Sequence, residues 1–367
     1  MSLHCVDAVI ELANSSRAPL MLIASRRQIE CAAQGGGYAN NWTTEDFANY
    51  VRRKDRGGYV VLCRDHGGPW QNYPEVQQGM NLREAMESAK RSFQADIDSG
   101  FHVIHIDPSI DIHDGQLSQA AILERLFELY EYCMAASSRA GREIAVEVGS
   151  EEQSGVDQDI GVLGNALQQT QSFCHKHGFT PPLFVVAQTG TLVKETVNVG
   201  TFDDPFRRSG AIPAEILVPR LIETCQNHGI CLKEHNGDYL SNEALMWHPR
   251  LRIHAANIAP EFGVVQTRHI FRLCEEFSLK REAERFAQLA FESGKWKKWM
   301  LPRTKATDFD RAVIAGHYVF GLPEFTDVFG SIRRECESRG LDLDASIRDA
   351  IKLAIMRIMA CFNLCRS

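Results

Sequence analysis

Histidines and carboxylates in this sequence repeatedly follow short runs of apolar and β-branched residues. The polar clusters that end these runs are Arg26-Arg27-Gln28, Asp65-His66, His105-Ile106-Asp107, Glu147 with Glu151, Gln188, His235-Asn236-Gly237-Asp238, and His254 with Asn257. Imidazole nitrogens and carboxylate oxygens are ligands that Zn²⁺, Mn²⁺ and similar divalent ions take in proteins. If the runs are strands that end at a common rim, the clusters predict a divalent metal site assembled from distant parts of the chain.

The apolar runs alternate with longer amphipathic segments. Seven strands are predicted, at residues 19–25, 59–64, 102–107, 143–148, 183–187, 229–235 and 251–257. Apolar residues at helical spacing predict helices between them, for example at residues 81–99, 118–140, 159–177 and 214–228. This alternation indicates a parallel sheet closed into a (β/α)8 barrel of the TIM type. Catalytic groups of such barrels project from the carboxyl ends of the strands, where the polar clusters lie.

An eighth strand has no clear signal. A helical pattern at residues 6–13 precedes the first strand, and it leaves only five residues ahead of it. Three explanations stay open: the first strand is missing, residues 316–320 fill the gap, or the barrel is incomplete. Residues from 267 onward follow helical patterns. We therefore expect one domain over residues 1–367, with a helical C-terminal extension over about residues 267–367.

The composition argues against several classes of partner. The formal net charge is -7 and the basic residues are dispersed, so nucleic acid is not an expected partner. No apolar run is long enough for a bilayer and the first residues lack a signal-peptide pattern, which predicts a cytoplasmic protein without a membrane partner. The eleven cysteines show no CxxC spacing, so neither a zinc knuckle nor a disulfide framework is indicated.

Each candidate residue also has a purely structural explanation. An isolated buried histidine is commonly a hydrogen-bonded packing residue, and Asp65 or Asp107 could cap a following helix. The Gly-Gly-Pro turn after His66 fits a helix cap poorly. Several polar groups at one end of a barrel favour a functional site over separate structural roles.

Several segments of the chain resemble a known family. They are residues 22–38, Asp65-His66-Gly67-Gly68-Pro69, residues 100–107, Gly149-Ser150-Glu151, Gln188, His235-Asn236-Gly237-Asp238-Tyr239, and Trp296-Lys297-Lys298. They are similar to the accessory (Z) subunit family of D-tagatose-bisphosphate aldolase. The likeness extends more distantly to class II, metal-dependent fructose-bisphosphate aldolases, through the Asp65-His66-Gly67 segment and the later strand ends.

The resemblance implies roles at the matching positions and a bound Zn or Mn ion. The implied metal ligands are His66, Asp107, Glu151, His235 and His254. The implied catalytic carboxylates are Asp65, Glu147 and Glu151, with Asp65 as the acid or base that transfers the proton. The residues expected to contact substrate are Arg27, Gln28, Gln188, Gly237, Asp238 and Asn257.

Two departures from the aldolase pattern bear on these roles. A metal-binding histidine of the aldolases falls where this chain has residues 188–191, so Gln188, His254 or no residue takes its place. The phosphate-binding loops of the aldolases are not reproduced, and Asp238 suits sugar hydroxyls better than a phosphate. Arg26 and Arg27 could bind an anion instead, although paired arginines are commonly solvated or ion-paired.

The implied chemistry is retro-aldol cleavage or enolisation of a sugar or sugar phosphate, in which a divalent ion stabilises the charge on the carbonyl-derived oxygen. Release of both fragments would make the protein an aldolase, whereas rotation and recombination would make it a ketose epimerase. Two other classes stay open. One is a non-catalytic subunit that stabilises a tagatose-bisphosphate aldolase, and the other is a barrel isomerase for another sugar. A homo-oligomer and an aldolase partner subunit are both compatible with the sequence.

Overall fold

A computed structural model describes residues 1–115, 117–149, 159–203 and 212–364. Its strands are β1 (Leu20–Ser25), β2 (Val60–Gly67), β3 (Val103–Ile106), β4 (Ala145–Val148), β5 (Phe184–Ala187), β6 (Val193–Lys194), β7 (Val197–Asn198), β8 (Cys231–Glu234) and β9 (Ala255–Ala256). Seven of them form one parallel sheet in the order β1-β2-β3-β4-β5-β8-β9, and β6 and β7 form a separate antiparallel hairpin. Each of the seven predicted strands is therefore confirmed.

The parallel sheet is curled, so that residues after its last strand approach its second strand. Asn257 follows β9, and its Nδ2 lies 3.3 Å from Oδ1 of Asp65 in β2. Among the described residues no eighth strand joins β9 to β1. The prediction of an α/β fold resembling a TIM barrel is confirmed, with a seven-stranded curled sheet.

The described part of the chain contains thirteen α-helices. They are α1 (Leu3–Ser16), α2 (Thr44–Lys54), α3 (Tyr73–Gln77), α4 (Leu82–Asp98), α5 (Gln119–Ala140), α6 (Ile160–His177), α7 (Ala214–Asn227), α8 (Asn242–Leu251), α9 (Pro260–Glu276), α10 (Lys280–Glu292), α11 (Asp308–Ala315), α12 (Pro323–Ser338) and α13 (Leu343–Cys361). The idea that residues 316–320 supply a strand is wrong, because Gly316–Tyr318 forms a 3₁₀ turn directly after α11. None of the helices in the described ranges is both long and apolar enough to span a bilayer.

Side chains at the helix ends explain why the helices between the strands begin and end where they do. The Asn81 side chain accepts the Glu84 amide and the Glu84 side chain accepts the Asn81 amide, a capping box that starts α4. Ser118 caps α5 in a similar way through the Ala121 amide. The same helix ends at Gly141, whose left-handed φ of 60° suits glycine. These local signals set where α4 begins and where α5 begins and ends, and so where the chain can turn into the neighbouring strand.

Two apolar cores flank the sheet region. The larger contains Leu22, Leu62, Ile104, Val146 and Leu232 from the strands, packed with residues of α2 and α4 to α7. The second lies among α1 and helices α9 to α13. The first core fixes the strands in register, and all cysteines in the described ranges are free thiols.

A group of buried ion pairs lies behind β1 and β2. We call Arg26, Glu30, Arg64, Glu75 and Asp96 the outer ion-pair cluster. Arg64 Nε donates to Asp96 Oδ2 at 2.8 Å, and Arg26 Nε donates to Glu30 Oε2 at 2.7 Å. Arg26 Nη2 also lies 2.6 Å from Glu75 Oε1, and all five side chains are buried. This corrects the idea that Arg26 binds an anionic ligand, because its guanidinium is enclosed and already paired.

Candidate active site

A bulge in β2 brings two consecutive polar residues to the same side of the sheet. Consecutive side chains of a regular strand point to opposite faces. Between β2 and β3 the register shifts, so that Arg64 pairs with Ile104 and Gly67 with Ile106, which leaves one extra residue in β2. His66 has a left-handed φ of 42°. As a result, Asp65 and His66 both reach the carboxyl end of the sheet, whereas Arg64 points to α4.

Asp107 fixes the orientation of the His66 ring. Nδ1 of His66 lies 2.6 Å from Asp107 Oδ2, and the same carboxylate accepts hydrogen bonds from Gln71 and Ser109. Both oxygens of Asp107 therefore already bind protein groups: Oδ2 binds His66 and Gln71, and Oδ1 binds Ser109. The predicted role of Asp107 as a metal ligand is therefore revised to one of holding His66, a common arrangement behind metal-bound histidines.

The close contacts among Asp65, His66 and Asp107 shift the pKa of each of these side chains. Burial acts against a charged His66, but the Asp65 charge and the Asp107 hydrogen bond outweigh it and raise the pKa of His66 to about 9. The pKa of Asp107 falls to about 2, against the effect of burial, through its hydrogen bond to His66. Burial also opposes ionisation of Asp65, yet the neighbouring His66, His105 and His235 keep its pKa below the ordinary value. Both aspartates are ionised at neutral pH.

Glu147 in β4 lies between a lysine and two histidines. Its Oε2 accepts a hydrogen bond from Lys233 Nζ at 2.6 Å. Its Oε1 lies 3.4 Å from Nε2 of His235 and 3.5 Å from Nδ1 of His105. Despite complete burial, the charges of His105 and Lys233 lower the pKa of Glu147 to about 2. Lys233 lies two residues before His235, and this period of two places both on the site face of the sheet.

His105 is a site residue that the sequence predictions did not assign. Its Nδ1 accepts the His66 amide at 3.1 Å, so it supports the left-handed turn in β2. Its Nε2 is buried without a hydrogen-bond partner among the described residues. A side chain at Gly149 would approach that nitrogen to 2.6 Å. The signal that could have found His105 is its position two residues before Asp107, because strand alternation gives both the same face.

The three histidines converge at the carboxyl ends of β2, β3 and β8. The ring centroids are 5.2 Å apart for His66 and His105, 5.1 Å for His66 and His235, and 5.5 Å for His105 and His235. We call these rings with Asp65 and Glu147 the triple-histidine site. Two ligand sets have all their donor atoms within 4.8 Å of one another: Asp65, His66 and His235, and His105, Glu147 and His235. A mixed nitrogen and oxygen donor set of this kind fits Zn²⁺ or Mn²⁺.

Two predicted substrate residues lie beside this site and one predicted ligand does not. Asn257 Nδ2 contacts Asp65 Oδ1 at 3.3 Å, and the Gly237 amide donates to the Asn257 carbonyl oxygen at 3.1 Å. His254 is exposed at the start of β9, where its Nδ1 accepts the Leu232 amide at 3.2 Å. The prediction that His254 is a ligand is thereby corrected, because it lies at the opposite end of its strand from the site.

The remaining predicted residues serve different local structures. Asp238 is buried and its Oδ1 accepts the Ala259 and Glu261 amides, so it caps the start of α9 and is not available to a sugar. Burial raises the pKa of Asp238 to about 7. Gln28 accepts the Ser25 amide in the turn after β1. Gln188 is buried after β5. Glu151, predicted both as a ligand and as a catalytic carboxylate, lies outside the described residues.

A known protein family matches the part of the chain that contains Asp65, His66, His105 and Glu147. Residues 2–155 match the D-tagatose-1,6-bisphosphate aldolase subunit GatZ/KbaZ-like family. The predicted resemblance is thereby confirmed over this part of the chain. The GatZ/KbaZ-like match ends before β8, so the inclusion of His235 in the site depends on the fold. A search of curated protein sequences finds no match.

Solved structures extend the likeness of fold to the whole chain. A probable tagatose 6 phosphate kinase from Sinorhizobium meliloti 1021 has a TM-score of 0.76 at 16% identity, covering 98% of this chain and 97% of that chain. The glycerol complex of fructuronate-tagaturonate epimerase UxaE from Cohnella laeviribosi has a TM-score of 0.58 at 12% identity, covering 98% and 79%. A protein provisionally assigned as a fructose-1,6-biphosphate aldolase from Coccidioides immitis has a TM-score of 0.50 at 14% identity, covering 99% and 87%. At these identities the likeness establishes the fold.

Proposed function

We propose that this protein is a metal-dependent aldolase or ketose epimerase that acts on a sugar or sugar phosphate. The observation that supports this most strongly is the convergence of His66 and His235 with Asp65 and Glu147, while Asp107 orients the His66 ring. Structural groups are normally paired one to one. Here two imidazoles and two carboxylates face a common space at the catalytic end of the sheet.

His66 and His235, which share one donor set, would hold the divalent ion, and Glu147, whose Oε1 lies 3.4 Å from His235 Nε2, would add an oxygen. A bound ion of this kind polarises a substrate carbonyl and stabilises the negative charge of an enediolate. Lys233 neutralises one oxygen of Glu147 and leaves the other directed to His235 and His105. Asp107 binds Nδ1 of His66 and thereby leaves Nε2 of the ring beside Asp65, 4.0 Å from its Oδ1.

Asp65 is the proton-transfer group. It is ionised at neutral pH, so it can accept the proton of the substrate hydroxyl next to the carbon–carbon bond that breaks. Asn257 lies 3.3 Å from the same carboxylate oxygen and would orient that hydroxyl. Return of the proton to the departing enediolate carbon completes cleavage. If the aldehyde fragment instead rotates and the carbon–carbon bond forms again, return of the proton to the new alkoxide completes epimerisation.

A second function has its own support. The family matched by residues 2–155 is described as a subunit of D-tagatose-1,6-bisphosphate aldolase. In this case the protein would stabilise a separate aldolase and would not itself turn over a sugar. The triple-histidine site would then be a structural remnant.

Metal analysis with activity measurement tests the two functions. Wild-type protein, His66→Ala, His235→Ala and the matched control His254→Ala are loaded with Zn²⁺ or Mn²⁺, and bound metal is measured by mass spectrometry. We expect about one ion per chain in the wild type and in His254→Ala, and loss of the ion in the other two. Turnover is measured on ketohexoses, ketohexonates and their phosphates.

The outcomes separate the enzyme from the subunit. Metal-dependent turnover that is lost with His66→Ala supports the enzyme. A wild-type protein that binds no metal, turns over none of these sugars and prolongs the half-life of a tagatose-bisphosphate aldolase contradicts it and supports the subunit.

A further inference from the structure

Four basic side chains lie close together above the carboxyl end of the sheet. We call Arg27, Lys194, Lys295 and Lys298 the cationic rim cluster. Arg27 follows β1, whose Ser25 pairs with Asp65 of β2, so this residue lies next to the strand end that supplies the triple-histidine site. Lys194 lies in the β6–β7 hairpin. That hairpin is attached to the end of β8, because Asn198 Nδ2 donates to the Asn236 and Asp238 carbonyl oxygens.

Aromatic rings and one backbone contact hold the four cations together. The Arg27 guanidinium lies 4.9 Å from the centre of the Tyr73 ring, and Lys295 Nζ lies 4.8 Å from the same ring. Lys298 Nζ lies 4.5 Å from the Trp299 ring and 5.7 Å from the Tyr318 ring. Lys194 Nζ donates to the Lys298 carbonyl oxygen at 3.1 Å. The chain segment at 295–299 is therefore joined both to the residue after β1 and to the hairpin on β8.

Within the described ranges, none of the four side chains forms an ion pair with a carboxylate. Nε of Arg27 is buried without a hydrogen-bond partner in the same ranges. The adjacent carboxylate, Glu195, accepts the Leu301 amide. Desolvation, followed by repulsion from Arg27, Lys295 and Lys194, lowers the pKa of Lys298 to about 8. Unneutralised like charges held this close are destabilising unless an anion joins them.

We propose that the cationic rim cluster binds the anionic group of the sugar substrate, a phosphate or a carboxylate, while the triple-histidine site acts on its carbonyl end. This inference rests on the proposed function for the nature of the rest of the ligand. A guanidinium and an ammonium are the side chains best suited to oxyanions, and Arg27 and Lys298 provide one of each. Asp238, which was predicted to contact sugar hydroxyls, is occupied in capping α9.

Calorimetric titration with three probes tests the proposal. Metal-loaded wild-type protein, Arg27→Gln, Lys298→Gln and the control Lys176→Gln are titrated with inorganic phosphate, with glucuronate and with uncharged glucose. Lys176 is an exposed residue at the end of α6, so its substitution removes the same charge away from the cluster. We expect each cluster variant to weaken binding of the preferred anion about 10-fold or more, the usual loss for a charge-assisted hydrogen bond.

The three probes distinguish the sources of the anion. Preference for phosphate identifies a phosphorylated sugar, and preference for glucuronate identifies an acid sugar; either result supports the site if Lys176→Gln is unaffected. Equal affinities in all four proteins, or no saturable binding of either anion, overturn the proposal. Metal content is measured in the same samples. A wild-type protein that holds no metal but still binds the anion through Arg27 would contradict the proposed function and would support the anion site.

Discussion

Two groups of buried ionisable residues lie on opposite sides of β2, and they are organised differently. In the outer ion-pair cluster, Arg64 donates two hydrogen bonds to Asp96 and others to the Ala24 and Ile29 carbonyl oxygens. In the triple-histidine site, Lys233 and Asp107 pair with one atom each of Glu147 and His66, but Glu147 Oε1 lies 3.4 Å from His235 Nε2 and Asp65 Oδ1 lies 4.0 Å from His66 Nε2. The Arg64–Asp96 pair of the outer cluster is closed on itself, whereas the site is open to a further atom.

The completeness of hydrogen bonding distinguishes buried charged residues that stabilise the fold from those that could form a functional site. Burial of a charge is tolerated when partners satisfy its hydrogen-bonding groups. Arg64 meets this requirement within the protein, and His105 does not, because its buried Nε2 lacks a partner among the described residues. Incomplete pairing at a strand end is therefore a better indicator of function here than burial or charge alone.

The largest effect is expected from breaking the outer cluster. Arg64→Met leaves Asp96 buried and unpaired, and we expect it to lower the free energy of unfolding by about 3–5 kcal/mol. Lys233→Met in the site should cost less, because the His105 and His235 imidazoles still lie within 3.5 Å of Glu147 Oε1. Urea unfolding of both variants measures the difference. If Lys233→Met is the more destabilising, the contrast between a closed and an open cluster is wrong.

A smaller effect is expected from the group that orients His66. Asp107→Asn keeps the shape of the side chain but weakens its hold on Nδ1 of His66, so we expect a 10–100-fold loss of metal affinity. Ser109→Ala is the matched control, since it removes another partner of Asp107 and leaves the bond to His66. Competition with a chelating dye measures the affinities. Unchanged affinity in Asp107→Asn would show that His66 needs no such support.

The smallest effect is expected from pH in the metal-free protein. The pKa of His66 is raised to about 9, above its ordinary value of 6.5, so folding favours its protonated form. This stabilisation is fully present below about pH 6.5 and is lost as the pH rises through about 9. The difference in unfolding free energy between the wild type and His66→Gln should therefore shrink over that interval. A His66 imidazole signal that titrates below pH 7 by NMR would contradict the expectation.

Local signals were sufficient for the strands and for part of the site. The seven apolar runs, with caps such as Asn81 between them, placed every strand of the parallel sheet close to its observed position. The polar residues at strand ends led to His66 and His235, which the fold brings to within 5.1 Å between ring centres. The sequence pattern alone could not show that His254 lies outside the site, because the predicted strand at 251–257 did not reveal that His254 precedes the observed strand.

Other roles depended on contacts between residues distant in sequence. Asp107 was assigned as a ligand because it follows a strand, but its contact with His66 across the neighbouring strand makes it a positioning group. Asp238 was assigned to the substrate, but its contact with the start of α9 makes it a helix cap. The position of His105 two residues before Asp107 indicates a shared face, but only the fold reveals that its Nδ1 receives the His66 amide.

The sequence by itself determined the alternation of strands and helices and the residue types at the strand ends, because these follow from local periodicity and capping. The tertiary structure decided which of those residues share one space. The extra residue in β2 turns Asp65 and His66 to one side, and the curl of the sheet brings Asn257 to them from the other end of the fold. Such outcomes depend on register and packing between segments far apart in the chain, which no local pattern encodes.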